Sequence, residues 1–381
     1  MDFKFTDEQE MFRKTVRDFV EKECPREVAR RYDENKEFPY DFYKKVAQQG
    51  WFGLPFPEKY GGSNCKTTDL IIIADALAKY SYDIAAGYAV PMFCAMNILH
   101  HGTEEQKKYY LPRFIKGDIR FAISISEPGA GSDAAAVSIS ATPEGDDYVI
   151  RGEKMFTSGA AAENTILTMA TRTDKNATSR QKGITVFLLE NDLAGFEAKR
   201  IDTLGRRTMG TFSIYCDNVR VSKDKMLGKL HDGWNVILGN LEMERTFTGS
   251  MYVAQAQSVV DDALAHAKER EQFGRPIGKF QSIAHMLADM QTEVDAARLL
   301  VYRAAWTIDQ GEPAGKEVSM AKLFASETLM RVATQGMQVM GGYGYCMEYD
   351  MQRYFRDAKI TTVSAGTSQM QRLIIARHLG L

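Results

Sequence analysis

The stretch Phe121-Ala-Ile-Ser-Ile-Ser126 is where the hydrophobic pattern of this 381-residue chain changes from helical to alternating. Before it, apolar residues recur with the spacing of amphipathic helices, whereas the stretch itself has the pattern of a β-strand. Helical spacing returns near Gly233 and continues to the end of the chain. These changes predict an α+β protein with an N-terminal helical domain (1–120), a middle antiparallel β-sandwich or barrel domain (121–225) and a C-terminal four-helix bundle (226–381).

Local signals give the elements of each part. Thr6 with Gln9 and Thr103 with Gln106 have the spacing of capping boxes that start helices. Further N-terminal helices are predicted at 40–49, 68–80 and 85–100. Strands are predicted at 137–141 and 148–150, which form a hairpin, and at 165–171, 184–189, 212–215 and 219–221. The C-terminal helices are predicted at 233–270, 280–310, 316–340 and from Ser368 onward.

Composition excludes several classes of protein. A formal net charge of −2 with 26% charged residues gives no basic surface for nucleic acid. The five cysteines are scattered and favour reduced thiols, and the longest apolar run, Leu70 to Ala74, is too short to span a membrane. We therefore expect a cytoplasmic protein with no membrane partner. The chain also has no dinucleotide-binding glycine motif, P-loop, zinc-protease motif or nucleophile elbow.

A metal site is considered at His100-His101. Adjacent helix positions point about 100° apart, and no further ligands follow at a useful spacing. We interpret the pair as the end of a helix and predict no metal site.

The chemistry is predicted at the start of the long C-terminal helix, in Gly239-Asn-Leu-Glu-Met-Glu-Arg-Thr-Phe-Thr248. Glu242 and Glu244 lie about 200° apart around a helix, so they cannot share a site. Glu244 falls on a largely apolar face, where burial would raise its pKa and make it a candidate general base. The alternative is a surface charge that pairs with a neighbour.

Six short stretches, in their order on the chain, resemble the acyl-CoA dehydrogenase family, and the resemblance covers essentially the whole sequence. They are Ser126-Glu-Pro-Gly-Ala-Gly-Ser132, Gly152-Glu-Lys-Met-Phe-Thr-Ser158, Arg270-Glu-Gln-Phe273, Gln338-Val-Met-Gly-Gly342, Arg356-Asp-Ala and Gly366-Thr-Ser-Gln369. The resemblance implies non-covalent FAD as the cofactor, which supplies the redox chemistry.

The resemblance also implies which residues surround the flavin ring. Ile123 and Ser126 would hold the ring edge, and Ser132 would contact the thioester arm of the CoA substrate. Phe156 stands where the family usually has a Trp, and it keeps an aromatic face without the indole N–H. Ser158 takes the place of a hydroxyl residue that bonds the reactive nitrogen.

A second group of residues is implied to reach the FAD of a neighbouring subunit or its adenosine half. Such a shared site implies an oligomer, in this family usually a homotetramer. The residues are Arg270, Gln272, Phe273, Gln281, Gln338, Val339, Met340, Gly341, Gly342, Thr367 and Gln369.

The chain departs from the family at Ala365, where many members have the catalytic Glu. In the isovaleryl-CoA and long-chain branches the base precedes an Arg on the first helix of the bundle, the position of Glu244 here. The resemblance then implies that Arg245 binds CoA, with Glu242 nearby, and that the N–H of Ala365, next to Gly366, polarises the thioester carbonyl.

The function implied is FAD-dependent α,β-dehydrogenation of an acyl-CoA, with electrons passed to electron-transferring flavoprotein. One alternative is an enoyl-CoA reductase of the crotonobetainyl-CoA reductase type. Another is a catalytically silent flavin-binding scaffold, against which the retained Glu244 speaks.

Overall fold

The computed structural model describes residues 4–239 and 241–381. Its first part is helical, as predicted. Thr6 and Thr103 begin the first and last of these helices, and each forms the full capping box with the Gln three residues later. The helices are α1 (Asp7–Glu23), α2 (Arg26–Glu34), α3 (Tyr40–Gln48), α4 (Thr67–Leu77), α5 (Tyr82–His101) and α6 (Glu104–Ile115).

Helix α5 is the core of the N-terminal part. By length and hydropathy it could cross a membrane, but 89% of its most apolar window is buried inside the fold. It packs against α4, against the strand that begins at Arg120 and against the C-terminal helix that begins at Leu241. It ends at His101, so the two histidines close a helix as interpreted from the sequence.

The middle part is a β-sheet that carries both parallel and antiparallel pairs. Its strands are β1 (Arg120–Ser124), β2 (Ser140–Glu144), β3 (Asp147–Ser158), β4 (Thr165–Arg172), β5 (Ile184–Glu190), β6 (Phe196–Ile201), β7 (Thr211–Ser222) and β8 (Met226–Leu227). The order within the described residues is β6-β7-β3-β2-β4-β5-β8, with β1 beside β4.

The prediction of an antiparallel domain is wrong for β1, which runs parallel to β4 from Arg120↔Thr165 to Ser124↔Met169. The reason is that the β2–β3 hairpin intervenes and the chain returns in its original direction. That hairpin is confirmed, and Glu144 pairs with Asp147 across a two-residue turn. The two strands predicted at 212–215 and 219–221 are one strand, β7.

The C-terminal part is helical, as predicted. Its helices are α7 (Gly233–Leu238), α8 (Leu241–Glu269), α9 (Gln281–Asp309), α10 (Gly315–Met340), α11 (Gly342–Tyr345), α12 (Met351–Thr361) and α13 (Ser368–His378). A small hairpin, β9 (Glu271–Gln272) and β10 (Arg275–Pro276), lies between α8 and α9. Helices α8, α9 and α10 pack together, and α12 and α13 pack on α10. The predicted helix at 233–270 is described as α7 and α8, and Asn240 between them lies outside the described residues.

A buried charged cluster joins the three parts of the chain. The Asp83 carboxylate on α5 accepts hydrogen bonds from the backbone N–H groups of Thr208 (2.9 Å) and Met209 (3.1 Å) and from Arg206 Nε (3.1 Å). The backbone N–H of Arg206 donates to Asp357 Oδ1 on α12 at 2.7 Å. The segment before β7 is thereby anchored to helices from both ends of the chain.

Candidate active site

Glu244 lies in the first turn of α8, on a face that continues into the protein core. Phe247, Thr248 and Met251, which follow it along that face, are all buried. Glu244 itself is half-buried. Burial raises the pKa of its carboxyl, although the nearby charges of Arg245 and Lys322 favour the ionised form. This is the environment of a carboxylate that can act as a general base.

Glu242 points elsewhere, as the helical spacing requires. It is exposed, and its Oε1 lies beside Gly315 at the start of α10, 3.4 Å from where a Cβ on that glycine would stand. The two carboxylates therefore occupy different surroundings.

Arg245 faces the loop between α12 and α13. Its Nη2 lies 3.7 Å from the position that a Cβ on Gly366 would take. Its Nε is buried and has no partner within the described part of the chain. A buried donor without a partner is costly, so this guanidinium is suited to a polar or anionic group of a ligand.

The loop from Thr362 to Thr367 carries backbone strain at the point nearest Arg245. Ala365 (φ 53°) and Gly366 (φ 86°) both adopt left-handed conformations, which are uncommon for a residue with a Cβ. The Ala365 N–H has no backbone acceptor among the described residues. It is free to donate to a ligand, as the resemblance implies.

The glycine-rich loop after β1 is fastened to β3 by a buried ion pair. Lys154 Nζ donates to Glu127 Oε1 (2.9 Å) and to the Ile125 carbonyl (2.8 Å), and the Lys154 side chain is fully buried. Glu127 also accepts from the backbone N–H groups of Ser138 and Ile139. The loop is thus fixed before any ligand binds.

The same loop leaves room beside its glycines. A Cβ added to Gly129 or Gly131 would meet no atom within 4 Å. Protein packing therefore does not require these glycines, and the open space can admit a ligand close to the backbone. Ser126 is half-buried at one end of this loop, and Ser132 is exposed at the other.

Phe156 lies next to this loop on a β-bulge of β3. The register between β3 and β7 shifts between Lys154 and Thr157, and Phe156 has a left-handed φ of 61°. Its ring is 60% exposed, which is unusual for a strained aromatic residue in a strand. Thr157 bonds Ser124 of β1 across 3.1 Å, so Phe156 lies beside the end of β1.

The other predicted residues of the ring site lie on the same two strands. Ile123 is half-buried in β1, and Ser158 is half-buried at the end of β3. The structure therefore places Ile123, Ser126, Phe156 and Ser158 at the neighbouring carboxyl ends of β1 and β3, which the Ser124–Thr157 and Met155–Ser126 hydrogen bonds join.

The second predicted group lies at the far end of α8. Arg270, Gln272 and Phe273 are exposed in the β9–β10 hairpin, and Gln281 begins α9. Phe273 is 94% exposed and has a φ of 52°. The start of the hairpin is joined to α11, because the Arg270 guanidinium lies 5.5 Å from the centre of the Tyr343 ring.

The end of α10 completes this second group. Gln338, Gly341 and Gly342 are exposed there, whereas Val339 and Met340 are buried. At 1.5 Å per residue, Arg270 lies roughly 39 Å along α8 from Glu244. The structure does not bring these residues to the Glu244 site within one subunit.

A cleft of about 370 Å³ lies beside the loop between α12 and α13. Thr367 and Gln369, both predicted to reach the adenosine half of FAD, line it. The remaining lining residues are Glu327, Lys359, Thr362, Val363 and Ser368.

Three family models cover nearly all of the chain. They are the N-terminal domain of acyl-CoA dehydrogenase at residues 6–118, the middle domain at 122–219 and the C-terminal domain at 231–380. The chain belongs to the acyl-CoA dehydrogenase family. It is an FAD-dependent oxidoreductase that acts on CH–CH bonds of acyl-CoA.

Relatives of this dehydrogenase match it over almost their whole length. A 3-(aryl)acrylate reductase of Clostridium sporogenes (strain ATCC 15579) is 38% identical over 98% of this chain and 99% of its own. A short-chain-specific acyl-CoA dehydrogenase of Clostridium acetobutylicum is 37% identical over 99% of both chains.

Solved structures confirm the fold of the dehydrogenase. Butyryl-CoA dehydrogenase from Megasphaera elsdenii has a TM-score of 0.95 at 34% identity and covers 100% of both chains. A second chain with the same TM-score and identity, covering 100% of this chain and 99% of its own, comes from work on the electron transferring flavoprotein of Acidaminococcus fermentans.

The residues of this dehydrogenase fit FAD and a CoA thioester. The exposed, strained Phe156, the open space at Gly129 and Gly131, and the unpartnered Arg245 Nε are features that ligands of this kind would complete. Neither Lys154 nor Lys322 was predicted from the sequence to be part of the site. The burial of Lys322 could have been predicted, because it interrupts the apolar face formed by Val318, Ala321 and Ala325.

Proposed function

We propose that the dehydrogenase removes the α-proton of its acyl-CoA substrate with Glu244. The observation that carries this proposal is the half-buried Glu244 carboxylate with a raised pKa, close to a loop in which Ala365 replaces the usual carboxylate. Arg245 links the two, because it follows Glu244 on α8 and its guanidinium lies beside Gly366.

Each residue then has a defined task. The free N–H of Ala365 binds the thioester carbonyl and stabilises the negative charge that develops when the α-proton leaves. Arg245 and Ser132 hold the CoA arm, with Gly366 and Glu242 along its path. Bound FAD would supply the acceptor for the β-hydrogen, which leaves the substrate as hydride. The α-proton passes to a Glu244 carboxylate oxygen, and the substrate becomes the trans-2-enoyl-CoA.

Phe156, Ser158 and the backbone of the loop after β1 would hold the flavin ring. Ile123 and Ser126 bind the ring edge. This arrangement is supported by the exposure of Phe156 and by the open space beside Gly129 and Gly131. Thr367 and Gln369 bind the adenosine half.

The active assembly is proposed to be a homotetramer. Arg270, Gln272, Phe273 and Gln281, with the end of α10, complete the FAD site of a neighbouring copy. The separation of roughly 39 Å from Glu244 and the 94% exposure of Phe273 support this arrangement. Exposed aromatic side chains of this kind are typical of interfaces. Arg270→Ala should weaken FAD retention, and a fully flavinylated monomer in light scattering would contradict the assembly.

Electron-transferring flavoprotein is the proposed electron acceptor, and the location is proposed to be the cytoplasm. The five cysteines are free thiols in the structure, which suits a reducing compartment. The comparisons do not favour the reductase alternative over dehydrogenation.

Anaerobic bleaching of the flavin tests the proposed function. Purified protein is mixed with short, branched, cyclic and longer acyl-CoAs, and flavin absorbance and enoyl-CoA formation are followed together. At least one acyl-CoA should bleach the flavin and give an equal amount of enoyl-CoA. Bound FAD that no acyl-CoA of the panel reduces would contradict the proposal and favour a silent scaffold.

A further inference from the structure

Lys322 is a buried lysine in the interior of the C-terminal helices. It lies on the inner face of α10 beside Val318, Ala321 and Ala325, and its side chain is fully buried. Burying an ammonium group is costly unless hydrogen bonds or opposite charges compensate for the lost water. The contacts of Lys322 show what compensates here.

The Lys322 ammonium binds both ends of the strained loop near Glu244. Its Nζ donates to the Thr361 carbonyl at 3.0 Å and to the Gly366 carbonyl at 2.7 Å. Gln371 Nε2 donates to the same Gly366 carbonyl at 3.1 Å. A left-handed conformation is unfavourable for a residue with a Cβ, so Ala365 (φ 53°) keeps it only if its surroundings hold it.

Lys322 also lies near the proposed base, because the Gly366 carbonyl that it binds belongs to the residue beside the guanidinium of Arg245, which follows Glu244. The charged and titratable groups near Glu244 are Arg245 and Tyr252 on α8, Cys94 on α5 and Lys322 on α10. Burial raises the pKa of Cys94 to about 12 and also raises that of Tyr252, so both are neutral. Burial and the charge of Arg245 lower the pKa of Lys322 to about 8, against the effect of Glu244.

We propose that Lys322 is a positioning residue with two effects on the reaction. Through the Thr361 and Gly366 carbonyls it holds the loop in the conformation that leaves the Ala365 N–H free for the thioester. Through its positive charge it stabilises the carboxylate form of Glu244 before proton transfer. The inference rests on the proposed role of Glu244, but its first effect concerns the loop alone.

The first test is hydrogen exchange of the FAD-loaded enzyme without substrate. Lys322→Met keeps the length of the side chain and removes both hydrogen bonds. The amides of Val363, Ser364 and Ser368, which donate hydrogen bonds within and next to the loop, should exchange at least tenfold faster than in the parent protein. Lys316→Met, on a partly exposed position of the same helix, is the matched control and should leave them unchanged. Unchanged exchange in Lys322→Met would overturn the loop effect.

The second test is the pH profile of flavin reduction by an acyl-CoA. Without the neighbouring positive charge, Glu244 should need a higher pH to ionise, so the acid limb should move upward by about one pH unit or more. Lys322→Gln retains a hydrogen-bond donor and loses only the positive charge. It replaces Lys322→Met in this test if Lys322→Met does not fold. An acid limb at the parent pH in Lys322→Gln would overturn the electrostatic effect. Failure of the proposed function is seen separately, as undiminished reduction in Glu244→Gln.

Discussion

Glu244→Gln is the decisive perturbation of the site. Gln has the shape of Glu and can still accept a hydrogen bond, but it cannot take the α-proton. Loss of a general base costs about 10²–10⁴ in rate, which is about 2.7–5.4 kcal/mol of transition-state stabilisation. The size of the loss depends on whether another group nearby can replace the carboxylate.

The neighbours of Glu244 offer no substitute. Burial raises the pKa of the Cys94 thiol to about 12, so it carries no thiolate at neutral pH. The Lys322 ammonium is occupied by two carbonyl groups. Glu242 lies on another side of α8, beside Gly315. We therefore expect a loss near the upper end, about 10⁴ in the rate of flavin reduction.

Stopped-flow measurement of anaerobic flavin reduction is the assay, and Glu242→Gln is the matched control. FAD content should match the parent in both variants. Because Glu242 lies along the CoA path, Glu242→Gln should need more acyl-CoA, but at saturating acyl-CoA it should reduce its flavin at close to the parent rate. If Glu244→Gln also reduces its flavin at close to the parent rate, the base is another group. An acid limb should also be seen in the parent, because protonation of Glu244 removes the base as the pH falls through its raised pKa.

The same variant makes a prediction about stability. Because folding raises the pKa of Glu244, the folded state binds this proton more tightly than the unfolded state. The parent therefore loses stability as the pH rises through the folded pKa, and a neutral Gln does not. The Tm of Glu244→Gln relative to the parent should increase with pH across this range. A difference that shrinks as the pH rises would contradict the assignment of a raised pKa.

Four other changes test separate parts of the structure. Glu244→Gly combined with Ala365→Glu should restore some of the flavin reduction that Glu244→Gly alone loses, and no restoration would show that position 365 cannot reach the substrate. Phe156→Ala and Phe156→Gly should both retain less FAD. The apoprotein with Gly should be more stable than that with Ala by about 1 kcal/mol, because Gly relieves the left-handed φ. Equal unfolding midpoints of the two apoproteins would argue against strain at this position. Phe273→Ser should lower the oligomeric state in light scattering without changing the fold by circular dichroism, since the side chain is 94% exposed. Lys154→Met leaves Glu127 buried and unpaired, and should cost about 3–5 kcal/mol in denaturant unfolding.

Periodicity predicted the three-part architecture because each part has long segments of one pattern. The capping boxes at Thr6 and Thr103 fixed two helix starts through local chemistry alone. Strand β6 was missed because its exposed sequence, Phe196-Glu-Ala-Lys-Arg-Ile201, is too polar to show a buried face. The parallel pairing of β1 with β4 depends on how distant segments meet, which no local pattern specifies.

In the candidate site, too, local features could be predicted from the sequence and long-range contacts could not. The position of Glu244 could be predicted from its own helix, since helical spacing decides which residues share a face. The hydrogen bonds that hold the loops of the site could not be predicted, because Lys154 and Lys322 donate to carbonyl groups that belong to other segments. The rest of α10, the helices α11 and α12 and their connecting loops separate Lys322 from Gly366, and only the fold brings the Lys322 Nζ within 2.7 Å of the Gly366 carbonyl oxygen.

The cluster of Asp83, Arg206 and Asp357 makes the three domains poor modules for exchange between relatives. Asp83 and Asp357 are buried, and burial together with the nearby carboxylates raises the pKa of Asp357 to about 7. A middle domain transplanted without matching partners would leave Arg206 or one of these carboxylates buried and uncompensated. Chimeric enzymes should therefore fold only when α5, the 206–209 segment and α12 are taken from the same parent, whichever parent supplies the acyl site.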